Sequence, residues 1–346
     1  MDIRWRSDGI VQALVKRSGT PGDVAVMERE VPDPPSGHLL IRTEACGLCG
    51  SDVHAWRGDR GYEWVAPPVT FGHEAVGRVI AVGPGADPAW VGKRVVPIAI
   101  DGCGECVTCR RGLRQICPRR TVLGLSFDGA AAESFLISEA RVVEVDVDLT
   151  SKLLALTEPV SVAYRAVRHL EQSPGGPLDV VVSGPGPIGL AAALLLSQRG
   201  HHVVLTGAER DRDLRLATAA SLGLKALVAT EAEELTPDGW IEASGSAHGL
   251  GAALRQTLPG GTVVVPGLFG APADPDVNLL TRREICLKGS YGSQAEDYRH
   301  AMSVLAADPQ LWSSLLDVRP LADGVAGLQA AASGETFKVV LVPGAN

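Results

Sequence analysis

The stretch Val180-Val181-Val182-Ser183-Gly184-Pro185-Gly186-Pro187-Ile188-Gly189 decides the fold class of this chain of 346 residues. Its run of valines predicts a buried strand, and glycines at the spacing G-x-G-x-x-G follow at once. The next residues, up to Ser197, are rich in Ala and Leu and predict a helix. This order is typical of a dinucleotide-binding unit, because the glycines let a pyrophosphate reach the helix N-terminus. We therefore predict that five residues of the stretch contact a cofactor: Gly184, Gly186, Pro187, Ile188 and Gly189.

The stretch belongs to a series of alternating strands and helical patterns. Further short strands are expected near residues 202–206, 240–243 and 262–266, which predicts a doubly wound parallel sheet. Before about residue 150 the chain instead has short β-type runs broken by Gly and Pro, which predicts a β-rich lobe. We expect two domains, at residues 1–150 and 151–290, and a final strand near Lys338–Val342 that could return to the first lobe.

Composition and charge exclude several classes of protein. With 45% hydrophobic and 21% charged residues, the chain is too apolar for a disordered protein. Its net charge of −8 opposes binding to nucleic acid. The stretch Met1–Arg6 lacks the apolar segment of a signal peptide, and the most apolar later run, Ile188–Leu196, is about half as long as a membrane span. We expect a cytoplasmic protein with no membrane partner.

Four of the seven cysteines lie within fifteen residues, at the spacing C-x2-C-x2-C-x7-C: Cys103, Cys106, Cys109 and Cys117. Four thiolates with no open position suit a structural zinc ion in tetrahedral geometry. Two disulfides are an alternative, although the cytosol keeps thiols reduced. An iron–sulfur cluster is another, but the ferredoxin pattern has a shorter last spacing and sends its last cysteine to a second cluster. The pattern favours structural zinc.

Three other segments carry the ligand types of a catalytic zinc site. Cys49 supplies a thiolate, the pair His73-Glu74 an imidazole and a carboxylate, and Glu158 a second carboxylate. Such a mixed set from distant segments is what zinc uses when it keeps one position open for substrate. Taken singly, each residue is as consistent with an ordinary core or surface position.

Taken together, the motifs resemble the zinc-containing medium-chain dehydrogenase/reductase superfamily, and most closely its sorbitol and threonine dehydrogenases. Segments in family order cover nearly the whole chain: GLCGSDVH, FGHEAVGRV, the four-cysteine loop, DGAAAESF, TEPVSVAYRAV, SGPGPIGLAA and IEASGS. The resemblance implies an α/β protein with a GroES-like β-rich catalytic domain and a Rossmann domain. It further implies that residues 291–346 complete the catalytic domain and that the assembly is a homodimer or homotetramer.

The resemblance also assigns the metal ligands. Cys49, His73 and Glu158 match the ligands of the catalytic zinc, and Glu74 matches the acid beside it; which of the two carboxylates binds the resting ion stays open. Cys46 is not a ligand in this scheme, although the C-x-x-C spacing leaves a redox pair as an alternative. An acid followed by Pro at 158, where simple-alcohol dehydrogenases have Cys, indicates harder ligation and a polar substrate.

Ser51, Asp52 and His54, which follow Cys49, match residues with known roles in the family. Two of them match the proton relay, and one matches the residue that orients a metal ligand. Ser51 resembles the hydroxyl that contacts the substrate oxygen, and His54 the imidazole at the solvent end. Asp52 resembles the acid that fixes the tautomer of the His73 ligand. A turn or helix cap is the alternative interpretation of Ser51 and Asp52.

The cofactor preference depends on the residues after the second Rossmann strand. Members that use NAD carry an Asp there, whereas this chain has Gly207. Arg210, with Arg212 and Arg215 close behind, could pair with a 2′-phosphate, which favours NADP(H) over NAD(H). Glu209 is the counter-argument, because it could replace the missing acid.

The resulting prediction is a zinc-dependent oxidoreductase that transfers hydride between NAD(P) and a secondary alcohol or ketone of a polyol, cyclitol, sugar or amino alcohol. An NAD(P)H-dependent ketone or enoyl reductase is the alternative within enzymes. A non-enzymatic NAD(P)-binding protein on the same fold is the alternative outside them.

Overall fold

The computed structural model describes residues 9–172 and 176–344, so the stretch Met1–Arg6 lies outside the described residues. Two compact units divide the chain. The first unit comprises Met1–Glu158 and Ser293–Asn346, and the second comprises Pro159–Gly292. The domain limits expected from the sequence, at residues 150 and 290, stay a prediction.

The strands and helices are numbered in chain order. The strands are β1 Ile10–Lys16, β2 Val24–Glu30, β3 His38–Gly47, β4 Val69–Thr70, β5 Glu74–Val82, β6 Arg94–Pro97, β7 Ile100–Asp101, β8 Thr121–Val122, β9 Ser134–Ser138, β10 Val142–Glu144, β11 Asp179–Ser183, β12 His202–Gly207, β13 Lys225–Val228, β14 Gly239–Glu242, β15 Thr262–Val265, β16 Cys286–Gly289, β17 Leu316–Pro320 and β18 Lys338–Val342. The helices are α1 Gly50–Arg57, α2 Val107–Arg110, α3 Ser151–Leu154, α4 Thr157–Leu170, α5 Pro187–Gln198, α6 Ala217–Ser221, α7 Ala247–Gln256, α8 Val277–Arg283, α9 Ala295–Ala307, α10 Pro309–Ser313 and α11 Gly324–Ser333.

The first unit is built on strands, as predicted. Its main sheet has the order β10-β6-β5-β3-β18-β17, with β9 also paired to β3, and a smaller sheet has the order β2-β1-β4. Alternate residues of these strands, such as Leu39 and Ile41, are fully buried in a core that they share with Phe71. Strand β18 pairs antiparallel with β3, which confirms that the last strand returns to the first lobe.

The register of the main sheet places the site. Gly47, the last residue of β3, lies opposite Glu74 on β5 and opposite Val340 on β18. The chain leaves β3 through Leu48 and enters α1 directly after Cys49. Residues from three strands and one helix N-terminus therefore meet at one end of this sheet.

The second unit is a parallel sheet of six strands in the order β13-β12-β11-β14-β15-β16. This order is the doubly wound order of the Rossmann fold, which confirms the predicted fold class. Helix α5, which follows the glycine-rich turn, is buried along most of its length. Helix α6 lies between the strands expected at 202–206 and 240–243, together with the additional strand β13 and a 3₁₀ turn at Ala229–Ala232.

Among the described residues, no helix has the combination of length and apolar composition that crossing a membrane requires.

Candidate active site

The N-terminus of α1 holds Cys49 in place. Cys49 is the residue before the helix, and its backbone N–H donates to Asp52 Oδ2 at 2.9 Å. Asp52 is fully buried, so its carboxylate both caps the helix and faces the interior. Burial raises the pKa of Asp52, while the nearby His73 and the backbone N–H of Cys49 oppose that rise.

Three metal-ligating groups meet beside this helix. One ligand atom from each of Cys49, His73 and Glu74 lies within 4.8 Å of the others. His73 and Glu74 are both buried, and Cys49 is partly exposed. A thiolate, an imidazole and a carboxylate at this spacing fit the ligand set of a zinc ion with an open position.

The His73 ring is oriented by two neighbours on α1. Its Nδ1 lies 3.7 Å from Asp52 Oδ1, and its Nε2 lies 3.3 Å from Ser51 Oγ. Burial alone would lower the pKa of His73, but the charges of Asp52, Cys49 and Glu158 outweigh it and raise the pKa well above its usual range. So many anionic groups around one imidazole are what a bound cation would neutralise.

Glu158 is the second residue of α4 and is also buried. Burial raises the pKa of Glu158 to about 7, with Glu74 and Asp52 adding to the rise and His73 and Lys338 opposing it. Glu158 is therefore electrostatically part of the site but lies outside the group of three ligand atoms within 4.8 Å. Its assignment as a zinc ligand stays a prediction.

Lys338 is a site residue that the sequence did not reveal. Its Nζ lies 2.7 Å from each oxygen of Glu74 and donates to the Leu48 carbonyl at 3.0 Å, and both side chains of the pair are buried. A side chain at Gly47 would lie 2.3 Å from Glu74 Oε2, so the glycine makes room for the carboxylate. A lysine at the start of the apolar run KVVLV was the available signal, because a buried charge needs a partner.

Cys46 lies on β3 in the hydrophobic core, in agreement with its exclusion from the ligand set. Burial raises the pKa of the Cys46 thiol well above its usual range, and Asp52 and Glu74 raise it further. Because the thiolate is the reactive form, this environment disfavours the alternative of a Cys46/Cys49 redox pair.

The two predicted relay residues lie on α1, three positions apart, and so on one side of the helix. Ser51 contacts His73, as described above. His54 is half-exposed, its Nδ1 lies 2.7 Å from Asp59 Oδ2, and its ring stacks on Tyr62 with 5.3 Å between centroids.

The four cysteines of the loop form a second, separate group. All four sulfur atoms lie within 4.8 Å of one another, and three of the pairs are 3.6, 3.6 and 3.9 Å apart. Sulfurs at the corners of a zinc tetrahedron are about 3.8 Å apart, given a Zn–S distance of about 2.3 Å. The spacing fits a zinc ion and is far too long for a disulfide.

The backbone of the loop is arranged around these sulfurs. A side chain at Gly102 would lie 2.7 Å from Cys109 Sγ, so the chain approaches the sulfurs as closely as its backbone allows. The backbone N–H of Arg119 donates to Cys117 Sγ at 3.2 Å, and its guanidinium donates to Cys103 Sγ at the same distance. Backbone N–H groups near Glu105 and Cys106 lower the pKa of Cys103 to about 6, which favours the thiolate that binds metal.

In the second unit, the glycine-rich turn has the geometry that a dinucleotide requires. Gly184 has a φ of +95°, and a side chain there would lie 2.6 Å from the Ser244 backbone. A side chain at Gly189 would lie 1.9 Å from the Gly184 carbonyl, so strand and helix pack at backbone distance. Gly186 precedes α5 directly, with Pro187 in its first turn. The turn and the N-terminus of α5 fit a pyrophosphate.

The arginines in the loop after β12 differ in whether they are paired with acids. Arg212 donates to both oxygens of Glu209, at 2.6 and 3.0 Å, and also to Glu231 at 3.0 Å. Arg212 is thus paired with acids, whereas Arg210 is exposed. A side chain at Gly207 would lie 2.8 Å from Pro185 and 3.0 Å from Asp211, so no acid fits there without movement. A side chain at Gly186 would lie 3.6 Å from Arg215 Nη1, which places that guanidinium beside the turn.

Two family models match the chain. Residues 35–147 match the alcohol dehydrogenase GroES-like domain, and residues 187–307 match the zinc-binding dehydrogenase model. These ranges include the four cysteines, the group around Cys49 and the helix after the glycine-rich turn.

Individual proteins match over nearly the full length. Sorbitol dehydrogenase of Halalkalibacterium halodurans is 30% identical over 96% of this chain and 99% of its own. L-threonine 3-dehydrogenase of Chelativorans sp. (strain BNC1) is 31% identical over 96% of this chain and 98% of its own. A zinc-binding dehydrogenase from Sinorhizobium meliloti 1021, solved with NADP, has a TM-score of 0.86 at 25% identity, covering 96% of this chain and 99% of its own.

Proposed function

The chain belongs to the zinc-containing medium-chain dehydrogenase/reductase superfamily, and from this premise we propose that it oxidises a secondary alcohol of a small polar substrate with NADP⁺, or reduces the ketone. Its enzyme class is that of its relatives, a zinc-dependent alcohol or polyol dehydrogenase. The observation that carries the proposal is the grouping of Cys49, His73 and Glu74 next to the Ser51 hydroxyl.

The donor sets of the first unit suit two zinc ions, one held by the four cysteines and one by Cys49, His73 and a carboxylate from Glu74 or Glu158. The chemistry supplied by the bound groups is activation of the alcohol oxygen by zinc and acceptance of hydride by the nicotinamide. The remaining requirement, removal of the hydroxyl proton, falls to the protein's own side chains.

Ser51 and His54 meet that requirement. The Ser51 hydroxyl can accept one hydrogen bond while it donates another, so it can pass on the proton of the substrate hydroxyl. His54, three residues further along α1, is half-exposed and can release a proton to solvent. Asp52 keeps Cys49 and His73 in place and itself does not reach solvent.

A polar substrate is supported by the charges around the ligand group. Glu74, Glu158 and Lys338 add two carboxylates and an ammonium group to the site, and an acid stands at 158 where a second thiolate would make a softer site. Sorbitol and threonine, named in the relatives above, both carry a secondary hydroxyl next to a further polar group. We therefore propose a substrate with vicinal hydroxyl, amino or keto groups.

NADP(H) is the preferred cofactor in this proposal. Both oxygens of Glu209 accept hydrogen bonds from Arg212, and Gly207 leaves no room for the ribose-binding acid. Arg210 and Arg215 then supply positive charge for a 2′-phosphate. NAD(H) would instead require Glu209 to leave Arg212 and accept hydrogen bonds from the ribose hydroxyls.

A cofactor-reduction screen tests the proposal. Polyols, cyclitols and amino alcohols would be offered to the zinc-loaded protein with NAD⁺ and NADP⁺ in parallel, and reduced nicotinamide measured by absorbance. We expect turnover with at least one such class and faster turnover with NADP⁺. Arg210→Ala should weaken NADP⁺ binding more than NAD⁺ binding, with Arg17→Ala as a matched control on an exposed arginine of the other unit. Equal loss for both cofactors would favour Glu209 as a ribose ligand and NAD⁺ as the cofactor.

The expectations of a homodimer or homotetramer and of a cytoplasmic location stay predictions. Light scattering of the purified chain would decide the first of them.

A further inference from the structure

The structure shows a contact of His54 that the relay described above does not use. His54 Nδ1 lies 2.7 Å from Asp59 Oδ2, and the two side chains are 44% and 38% exposed. Asp59 belongs to none of the sequence motifs, and its carboxylate has no part in the metal-ligating groups. Its contact with the imidazole at the solvent end therefore points to a role other than metal binding.

The turn after α1 places Asp59 there. Gly58 ends the helix with a φ of +70°, and its N–H donates to the carbonyls of Ala55 and His54. The N–H of Asp59 donates to the His54 carbonyl at 3.0 Å, which folds the chain back over its own last turn. A side chain with a Cβ would be strained at this φ, so the glycine lets the carboxylate reach the ring five residues earlier.

Tyr62 holds the ring from another side. Its ring stacks on His54 with an interplanar angle of 22°, and Trp64 stacks on Tyr62 with 6.3 Å between centroids. The indole N–H of Trp64 donates to the Gly61 carbonyl at 2.9 Å, which anchors this stack to the same turn. With a hydrogen bond in its plane and a ring on its face, the imidazole has little freedom to turn over.

The Asp59 contact decides which ring nitrogen carries the hydrogen. An ionised carboxylate only accepts hydrogen bonds, so Nδ1 must be the donor. In the neutral imidazole the lone pair is then on Nε2, and a base must offer a lone pair to the proton it takes. Without Asp59 the two tautomers would compete, and part of the protein would present an N–H where the proton arrives.

We propose that Asp59 is the positioning residue of the proton exit, an inference that rests on the proposed function. The proton of the substrate hydroxyl passes by way of Ser51 to His54 Nε2. A bound nicotinamide would accept the hydride that leaves carbon as the C–H bond breaks. The imidazolium that forms is stabilised by the Asp59 carboxylate. It then returns the proton from Nε2 to water, which restores the starting tautomer.

Nitrogen-15 NMR of the histidines gives a test that does not depend on turnover. The His54 signals are assigned by their loss in His54→Gln. We expect the wild-type ring to carry hydrogen on Nδ1, and Asp59→Asn, whose amide can donate as well as accept, to show a mixture of tautomers. A wild-type ring with hydrogen on Nε2 would overturn the proposal.

Steady-state kinetics of the zinc-loaded enzyme give the second test. Asp59→Asn should lower kcat for alcohol oxidation roughly tenfold, a part of what a general base contributes, and leave KM within about twofold. Added imidazole should restore part of the lost kcat, because an external base can accept the proton. Glu63→Gln removes a charge from the same turn and should behave as wild type.

The two experiments distinguish a failure of the Asp59 role from a failure of the proposed function. The role of Asp59 alone would be overturned if the wild-type enzyme turns over alcohol and Asp59→Asn has the same kcat. It would also be overturned if the variant's defect appears in KM and added imidazole does not restore activity. A zinc-loaded wild-type chain that turns over no alcohol would overturn the proposed function, and the role of Asp59 with it.

Discussion

The first unit contains two groups of metal-ligating residues that are built in opposite ways. The four cysteines lie on one loop within fifteen residues and offer four identical sulfurs. The group around Cys49 draws on α1 and β5, offers three kinds of ligand atom, and includes a buried lysine that lies on β18. A local set of equal ligands can close around an ion by itself, whereas a mixed set from distant elements exists only when the fold is complete.

The surroundings of the two groups also differ, because the loop sulfurs lie near the surface and the Cys49 group lies among buried charges. The sulfurs of the loop receive hydrogen bonds from the backbone and from Arg119, whose side chain is 61% exposed. The other group is enclosed by four buried charged side chains, Asp52, Glu74, Glu158 and Lys338, whose excess of negative charge a bound cation would neutralise. The comparison therefore predicts that loss of a loop ligand affects stability, and loss of a ligand in the mixed group affects chemistry.

The largest expected effect is on turnover. Cys49→Ala and Glu158→Ala should each lower kcat by at least about 100-fold, because a catalytic metal loses more with a direct ligand than with a supporting residue. The circular dichroism spectrum and the metal content of the four-cysteine loop should be unchanged. Cys46→Ala, a core cysteine next to the same site, is the matched control and should keep its turnover. Full activity in Glu158→Ala would assign the resting carboxylate to Glu74.

The second effect concerns the buried pair. Lys338→Met leaves the Glu74 carboxylate buried without its partner, which should cost about 3–5 kcal/mol in the free energy of unfolding. The double variant Lys338→Met, Glu74→Gln should recover much of this loss, as measured by urea denaturation. A single variant as stable as wild type would mean that the pair is not needed to balance the site.

The third effect is metal loss from the loop. Cys103→Ala should reduce the zinc content from about two ions per chain to about one, with a Tm lower by roughly 5–10 °C, since a local closed site supports one loop and not the whole unit. Turnover below the new Tm should remain. One zinc ion per chain in the wild type, lost in this variant without loss of activity, would contradict the division between the two groups.

The smallest effect is expected from Arg119→Gln. Its guanidinium bonds Cys103 and Glu105 at the surface, where water replaces such contacts readily. We expect zinc content, Tm and turnover to stay within experimental error. A clear loss of zinc would show that the N–H···S contact from the side chain, and not the backbone alone, holds the loop sulfurs.

The difference between the groups also explains what the sequence could reveal. The close spacing of Cys103, Cys106, Cys109 and Cys117 is enough to predict that their sulfurs lie near one another, because a short loop brings its residues together in any fold. The candidate ligands Cys49, His73, Glu74 and Glu158 have the residue types of a zinc site, but only the resemblance of their motifs to a known family assigns them to one site. Lys338 is 264 residues from Glu74 and belongs to no motif, so only the pairing of β18 with β3 places it at the site.

The four inner Rossmann strands, β11, β12, β14 and β15, were predictable for a related reason, whereas the edge strands β13 and β16 were not predicted. A buried parallel strand is an uninterrupted apolar run, and the run before Gly184 could hardly form anything else. Asp59 is the opposite case, because its contact depends on the φ of Gly58 at the end of α1. Gly58 and Asp59 are residue types that occur in many surface turns, so the sequence does not single them out.

The insertion of β18 next to β3 has a consequence for biosynthesis. The ribosome releases residues 159–292, which form a continuous unit, before it releases β18. The dinucleotide-binding unit can therefore fold while the first unit, although it contains the earlier residues, still lacks a strand of its sheet and the ammonium partner of Glu74. Until then the sheet of the nascent chain has an open edge at β3, and Glu74 lacks its ammonium partner. Chaperones protect intermediates of this kind. A premature stop codon before Lys338 would leave the chain permanently in that state, with its nucleotide-binding unit intact.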